Sequence, residues 1–199
     1  MNPFDQMYAG TPPWDVGHPQ DAFVRLVEQG RVQGRTLDVG CGTGENALHC
    51  ASTGLETWGI DLASRAIDRA RTKAQARDLT VEFRVHDALH LGTLGTTFDT
   101  ILDCGMFHTL SDGGRLAYEA SLSRVARVGT TLHLLCFNEE EADWGGPRRV
   151  TRPELETAFA QRWVVESIDR ARFQSRVNED GAHAWLMRAT YLGRRGLAS

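Results

Sequence analysis

Residues 36–48, TLDVGCGTGENAL, constrain this chain more than any other stretch. Thr36, Leu37, Asp38 and Val39 read as a short buried strand. Gly40, Gly42 and Gly44 follow with G-x-G-x-G spacing, and residues 45–50 read as the start of a helix. A glycine turn between strand and helix lets a ligand approach bare backbone, because no Cβ stands in the way. The same turn also occurs without a ligand. Here the β-type run before it, the helical run after it and Asp38 just ahead of it favour a nucleotide-like cofactor.

The rest of the chain repeats the alternation. Residues 56–60 form an expected second strand ending at Asp61, with a helix over 63–77. Residues 81–85 form a third strand followed by Asp87, and 98–103 a fourth. Ser111 is placed to cap a helix running to about residue 127, with Gly129 closing it. Residues 130–137 form a fifth strand. Thr151 and Glu154 have capping-box spacing for a short helix to about residue 160. Strands over 163–170 and 182–192 are joined by an expected turn at Asn178–Gly181. Alternating strands and helices imply a parallel sheet covered on both faces, and the closing hairpin makes the last strand antiparallel. An expected helix over 20–29 precedes the motif. Residues 1–19 are proline-rich and irregular, yet Phe4, Tyr8 and Trp14 are too apolar for a free tail. One domain over 1–199 is expected, with 1–19 as a covering segment, 20–192 as core and 193–199 as a frayed tail.

Composition removes several alternatives. The 199 residues are 41% hydrophobic and 24% charged, with net charge -4, so no basic field favours nucleic acid. The N-terminus lacks the pattern of a signal peptide, and no apolar run approaches membrane-spanning length. Cys41, Cys50, Cys104 and Cys136 make no C-x-x-C motif, which fits a reduced, cytoplasmic setting.

Asp38, Asp61 and Asp87 all fall at or near carboxyl ends of expected strands, where open α/β sheets bind ligands. Asp61 follows Asp38 at close to the spacing of a ribose-binding acid. A dinucleotide fingerprint needs glycine at position 45, where this chain has Glu45, and no Tyr-x-x-x-Lys pair is present. A carboxylate at the mouth and Asp38 beneath the turn suit a cationic ligand with an adenosine end better than a pyrophosphate.

With these residues the chain resembles the class I S-adenosylmethionine-dependent methyltransferases. The resemblance covers nearly the whole chain. It implies a Rossmann-like seven-stranded sheet in order 3-2-1-4-5-7-6, with strand 7 antiparallel. It also implies that Gly40, Gly42 and Gly44 support the methionine part of S-adenosylmethionine. Asp61 and its neighbour Leu62 would hold the adenosine, Asp87 the adenine amino group, and the Ala88 backbone the ring; Asp38 and Asp103 complete the expected cofactor set. Residues 8–19, YAGTPPWDVGHP, are similar to the lid of small-molecule methyltransferases of the thiopurine, thiol and halide type. Residues 103–108, DCGMFH, and 146–150, GPRRV, resemble a mycobacterial branch that methylates toxic heterocycles.

The implied reaction moves a methyl group to S, N or O of a small aromatic or heteroaromatic acceptor, leaving S-adenosylhomocysteine. The protein must chiefly align nucleophile and methyl and exclude water. Trp14 is then expected over the cofactor, and Tyr8, Phe107, His108 and Arg148 around the acceptor. His108 is the candidate general base. His86 and His133 read as structural, and no ligand cluster calls for a metal. A cofactor-binding module without transfer activity and, less well supported, a nicotinamide oxidoreductase remain as alternatives. Neither the acceptor nor the oligomeric state follows from the residues.

Overall fold

The computed structural model describes residues 3–193. The expected tail beyond Gly193 lies outside the described residues. Seven strands form one sheet in the order β3-β2-β1-β4-β5-β7-β6. They are β1 (Thr36–Val39), β2 (Thr57–Asp61), β3 (Glu82–Val85), β4 (Phe98–Cys104), β5 (Ala126–Phe137), β6 (Trp163–Ser175) and β7 (Asn178–Tyr191). The first five pair in parallel, and β7 runs antiparallel to both β5 and β6. β1 is buried at every position, as a central strand covered on both faces must be.

Among the described residues six α-helices accompany the sheet: α1 (Pro3–Met7), α2 (Asp21–Glu28), α3 (Glu45–Ser52), α4 (Ser64–Ala76), α5 (Asp112–Val125) and α6 (Arg152–Phe159). Leu37, Val39, Ile101, Leu132, Leu134, Tyr118 and Leu122 form part of the largest buried cluster, between the sheet and α5. A second cluster packs Phe23 and Leu26 of α2 against Leu102, Leu135 and Phe173. Ser111 caps α5 by accepting from Gly114 N, and Thr151 with Glu154 forms the full capping box of α6.

Three expectations of detail are corrected. Helix α5 stops at Val125 and the chain enters β5 at once. Gly129 therefore lies in a β5 irregularity, between pairings of Phe98 with Ala126 and Thr100 with Thr131. The last hairpin is longer than expected: Ser175 pairs with Asn178, so the turn is Arg176-Val177 and residues 178–181 belong to β7. The expected strand–helix alternation is interrupted once, because β3 leads into a distorted 3-10 segment (Ala88–Leu94) and not into an α-helix.

Candidate active site

The carboxyl ends of β1, β2, β3 and β4 open into a cavity of about 940 Å³. Asp61 and Leu62 at the end of β2 and Asp87 and Ala88 after β3 line one end. Asp61 accepts from Gly42 N (2.9 Å) through Oδ2 and from Ala63 N (2.8 Å) through Oδ1. The acid thereby ties the glycine turn to the start of α4; burial raises its pKa. Asp87 accepts from Leu89 N and from His90 Nδ1, and its side chain stays 40% exposed.

A recess of about 60 Å³ adjoins the same wall. Gly40, Tyr8, Trp14, Cys104 and Phe173 line both spaces, and Asp15, Gln20, Thr43 and Asn46 line the recess alone. Thr43 Oγ1 donates to Asp15 (2.8 Å) and accepts from Lys73 Nζ (2.7 Å).

The far end of the large cavity is aromatic. His108 stacks on Phe137 at 4.4 Å between centroids, and Phe173 meets Phe137 edge-on at 5.0 Å. Trp144, from the loop after β5, meets Phe137 edge-on at 5.8 Å and donates its indole N–H to Glu141. That loop is pinched at its base by a bridge between Asn138 and Val150. Arg149 stacks on Trp144 at 4.7 Å and bonds the Gly145, Pro147 and Ala142 carbonyls, which fixes the loop from behind.

A profile of the methyltransferase domain matches residues 36–129. A 2-heptyl-1-hydroxyquinolin-4(1H)-one methyltransferase of Mycobacteroides abscessus is 36% identical over 179 residues, which is 88% of this chain and 78% of that one. The chain belongs to the S-adenosylmethionine-dependent methyltransferases. A solved structure from work on "Conversion of a Disulfide Bond into a Thioacetal Group during Echinomycin Biosynthesis" superposes with TM-score 0.86 at 37% identity, covering 95% of this chain and 91% of that one. A SAM-dependent methyltransferase from Methanosarcina mazei shares the fold, with TM-score 0.71 at 21% identity over 84% of this chain and 98% of that one.

The cavity walls of this methyltransferase fit that cofactor. Among the described residues neither space is lined by lysine or arginine, whereas Asp15, Glu45, Asp61, Asp87 and Glu141 are present. That donor set suits a sulfonium and ribose hydroxyls and offers no side-chain cation for a pyrophosphate. A Cβ on Gly42 would stand 2.7 Å from the Tyr8 hydroxyl, at φ +55°, so the wall here has no room for any larger residue.

Trp14, Gly40, Gly42, Asp61, Leu62, Asp87, Ala88, Tyr8 and His108 are all brought to these walls. Five expected site residues are not. Gly44 meets the core: its Cβ would lie 2.6 Å from the Phe83 ring. Asp38 is fully buried beneath the turn and accepts from Ala47 N (3.2 Å), and burial pushes its pKa up to about 7. Asp103 is fully buried too, accepting from Met106 N (2.8 Å) and from the Tyr118 hydroxyl (2.9 Å). Phe107 packs on Phe159 and beneath Arg115, away from the cavity. Arg148 pairs with Asp112 and Glu154.

Two further expectations change. Glu45 points back to Lys73 (2.7 Å) and Arg77 (2.9 Å), so its charge is matched within the protein rather than aimed at a ligand. Tyr8 lies against Gly42, Ala63 and Ala66 and accepts from Trp14 Nε1 (2.9 Å). It therefore walls the cofactor side as well as the acceptor side.

His108 is 4% exposed, and its Nδ1 accepts from Phe137 N at 3.0 Å. Burial, with Arg115 and Arg149 nearby, pushes its pKa down to about 3. With Nδ1 accepting from a backbone N–H, the neutral ring carries its proton on Nε2, and this tautomer presents no lone pair free to take a proton. His133 is structural as expected, with Nε2 on the Arg31 carbonyl. His86 bonds the His90 carbonyl but also reaches the cavity wall.

Sequence reading missed Asp15, Thr43 and Asn46 in the recess and Phe137, Trp144 and Phe173 in the chamber. Phe137 carried a usable signal, since it ends a strand on the ligand-binding edge. Phe173 did not, because the expected strand stops at residue 170, three short of Phe173, whereas β6 runs to Ser175.

Proposed function

We propose that this methyltransferase alkylates S, N or O of a small aromatic or heteroaromatic acceptor held between Phe137, Trp144 and Phe173. The observation that carries the reading is the aromatic chamber continuous with the cofactor cleft, joined where Tyr8, Trp14, Gly40 and Cys104 meet. Flat rings stack on such walls with about 0.5–1.5 kcal/mol per aromatic pair beyond their burial. The cavity rim adds Met7 and Val177, both exposed and apolar, which suits an acceptor with an apolar substituent. The quinolone acceptor named for the Mycobacteroides abscessus relative supports a heteroaromatic class.

S-adenosylmethionine supplies an activated methyl group on a sulfonium. Asp61 would hold the ribose hydroxyls, Asp87 the adenine amino group, and the recess beside Thr43 and Asn46 the amino-acid end. Tyr8 and Trp14, clamped over the cleft, exclude water. The residues' remaining task is alignment, which can contribute about 7–11 kcal/mol. A net charge of -4 and a narrow aromatic chamber favour a small molecule over nucleic acid. No helix among the described residues is long and apolar enough to cross a membrane, and four unpaired cysteines agree with a cytoplasmic enzyme.

The test uses S-adenosylmethionine with a trideuterated methyl and a panel of thiophenols, phenols and hydroxyquinolines, read by mass spectrometry. Label is expected on at least one bicyclic acceptor, with a raised KM in Trp144→Ala and Phe173→Ala. Cofactor binding without transfer to any aromatic acceptor would refute the reading.

A further inference from the structure

The chamber's polar groups are nearly all committed. Glu141 accepts from Trp144 Nε1 (2.9 Å) and from His183 N (2.7 Å), and these bonds hold its carboxylate ionised. Cys104 is a half-buried thiol whose pKa is raised, chiefly by desolvation, and the Tyr8 hydroxyl, its pKa also raised by burial, accepts from Trp14. Asp61 and Asp87 accept from backbone N–H groups at the opposite end of the cavity. His86 Nε2 lies on the His90 carbonyl (3.2 Å), beside Asp87. The neutral His108 ring is locked at Nδ1, and its Nε2 has no partner among the described residues.

Two arginines act on the His108 wall of the chamber. His108 is packed by β5 through Phe137 and by β6 through Phe173, its Nε2 lies close to Gly105 after β4, and Arg115 of α5 and Arg149 of the loop act on it electrostatically. Arg115 is buried; its Nη1 pairs with Glu154 (3.0 Å), while Nε and Nη2 have no partner among the described residues. Arg149 bonds backbone carbonyls, and its nearest carboxylate, Asp143, is 3.9 Å away and 90% exposed. Two guanidiniums thus stand behind the aromatic wall, Arg115 partly matched by Glu154 and Arg149 facing the ionised Glu141 of the chamber lining, where charges act at low effective dielectric.

We infer that no described residue of the chamber acts as a general base and that the enzyme takes acceptors that arrive already ionised, with the anionic oxygen, sulfur or nitrogen held by the N–H of His108 Nε2. This deepens the function proposed above and rests on it. The acceptor loses its proton to solvent before binding. Its lone pair then forms the bond to the methyl carbon as the carbon–sulfur bond breaks, and that bond's electron pair stays on sulfur. Anion and sulfonium become two neutral products, and no proton is transferred in the step. The substrate class narrows to acidic heteroaromatics, such as thiophenols and hydroxylated ring systems that ionise near neutral pH. Simple phenols, with a pKa of about 10, fall outside it.

The test is a pH profile of kcat/KM for a series of acceptors with one ring frame and graded acidity. The inference expects a rising limb whose midpoint moves with each acceptor's own pKa. A single midpoint shared by all acceptors would overturn it, because an enzyme group would then be taking the proton. A spectral titration of a chromophoric acceptor into the protein with S-adenosylhomocysteine gives a readout independent of turnover. The bound acceptor should show the anion's spectrum below its solution pKa, and a neutral spectrum there would also overturn the inference. His108→Gln keeps an N–H near Nε2 and should retain turnover within a few-fold. His108→Phe keeps the ring stack and should lose about ten- to a hundredfold with the midpoint unmoved. Absence of transfer to any member of the series, with cofactor bound, would instead count against the function itself.

Discussion

Asp38 is held beneath the glycine turn with Oδ2 on Ala47 N and Oδ1 unpaired. Burial and the charges of Asp103 and Asp61 push its pKa up to about 7, against about 3.9 in an unfolded chain. The fold therefore prefers the protonated acid. That contribution is complete below about pH 4 and is lost as pH rises through 7. His108 and His133 run the opposite way: their depressed pKa values contribute stability above about pH 6.5 that is lost as pH falls. Comparing Asp38→Asn with the parent at each pH cancels the histidines. The variant is expected to melt at the parent's temperature at pH 4 and several degrees higher at pH 8, by calorimetry; a constant offset across that range would contradict the assignment. Asp61 is a different kind of acid, because it reaches the cavity. Asp61→Ala should weaken S-adenosylhomocysteine by tenfold or more in isothermal titration, and unchanged affinity would remove Asp61 from the site.

Helix α4 has no cap of its own, since Ala63 stands at its N-cap. Asp5 of α1 supplies one from a distance, accepting from Arg65 N (2.9 Å) and the Ser64 hydroxyl (3.1 Å). Arg69 donates to the Gly10 carbonyl, and Arg176 N to the Pro13 carbonyl. Together with the Thr43–Asp15 bond, these contacts latch the covering segment at four points, one of them at Ser64 and Arg65, three and four residues beyond Asp61. Asp5→Ala should speed S-adenosylhomocysteine release several-fold in stopped flow with little change in melting temperature. An unaltered release rate would mean that the latch does not bear on the cleft. Gly44→Ala should do the reverse: at φ +85° and 2.6 Å from Phe83, it costs folding stability before it touches a ligand.

These elements also show what could be read in advance. The motif strand, the alternation through β4, both side-chain caps and the antiparallel last strand carried local signals: glycine spacing, cap residues and apolar runs. Boundaries failed where partners decide them. β6 is an edge strand with charged outer positions such as Glu166, Asp169 and Arg172, and only its pairing with β7 extends it to Ser175. That extension delivers Phe173 to the chamber. Glu45 was misread for a related reason, since nothing local places Lys73 and Arg77 opposite it. Asp103 and Phe107 follow the ligand-bearing end of β4, but tertiary packing turns both inward.

At the scale of the molecule, the parallel sheet gathers the carboxyl ends of β1, β2, β3 and β4 on one edge. The antiparallel hairpin beside β5 then adds a wall that parallel strands alone would not provide. One end of the resulting cavity is acidic and lined with backbone N–H bonds, the other aromatic and backed by arginines. NADH should show no binding under conditions where S-adenosylhomocysteine binds, because no lysine or arginine among the described residues lines either space. The most direct test is a crystal structure with S-adenosylhomocysteine and a hydroxyquinoline together. The account predicts the ribose on Asp61, the acceptor ring between Phe137, Trp144 and Phe173, and its oxygen within hydrogen-bond distance of His108 Nε2. An acceptor seated outside the aromatic chamber, or a cofactor that leaves Asp61 untouched, would contradict it.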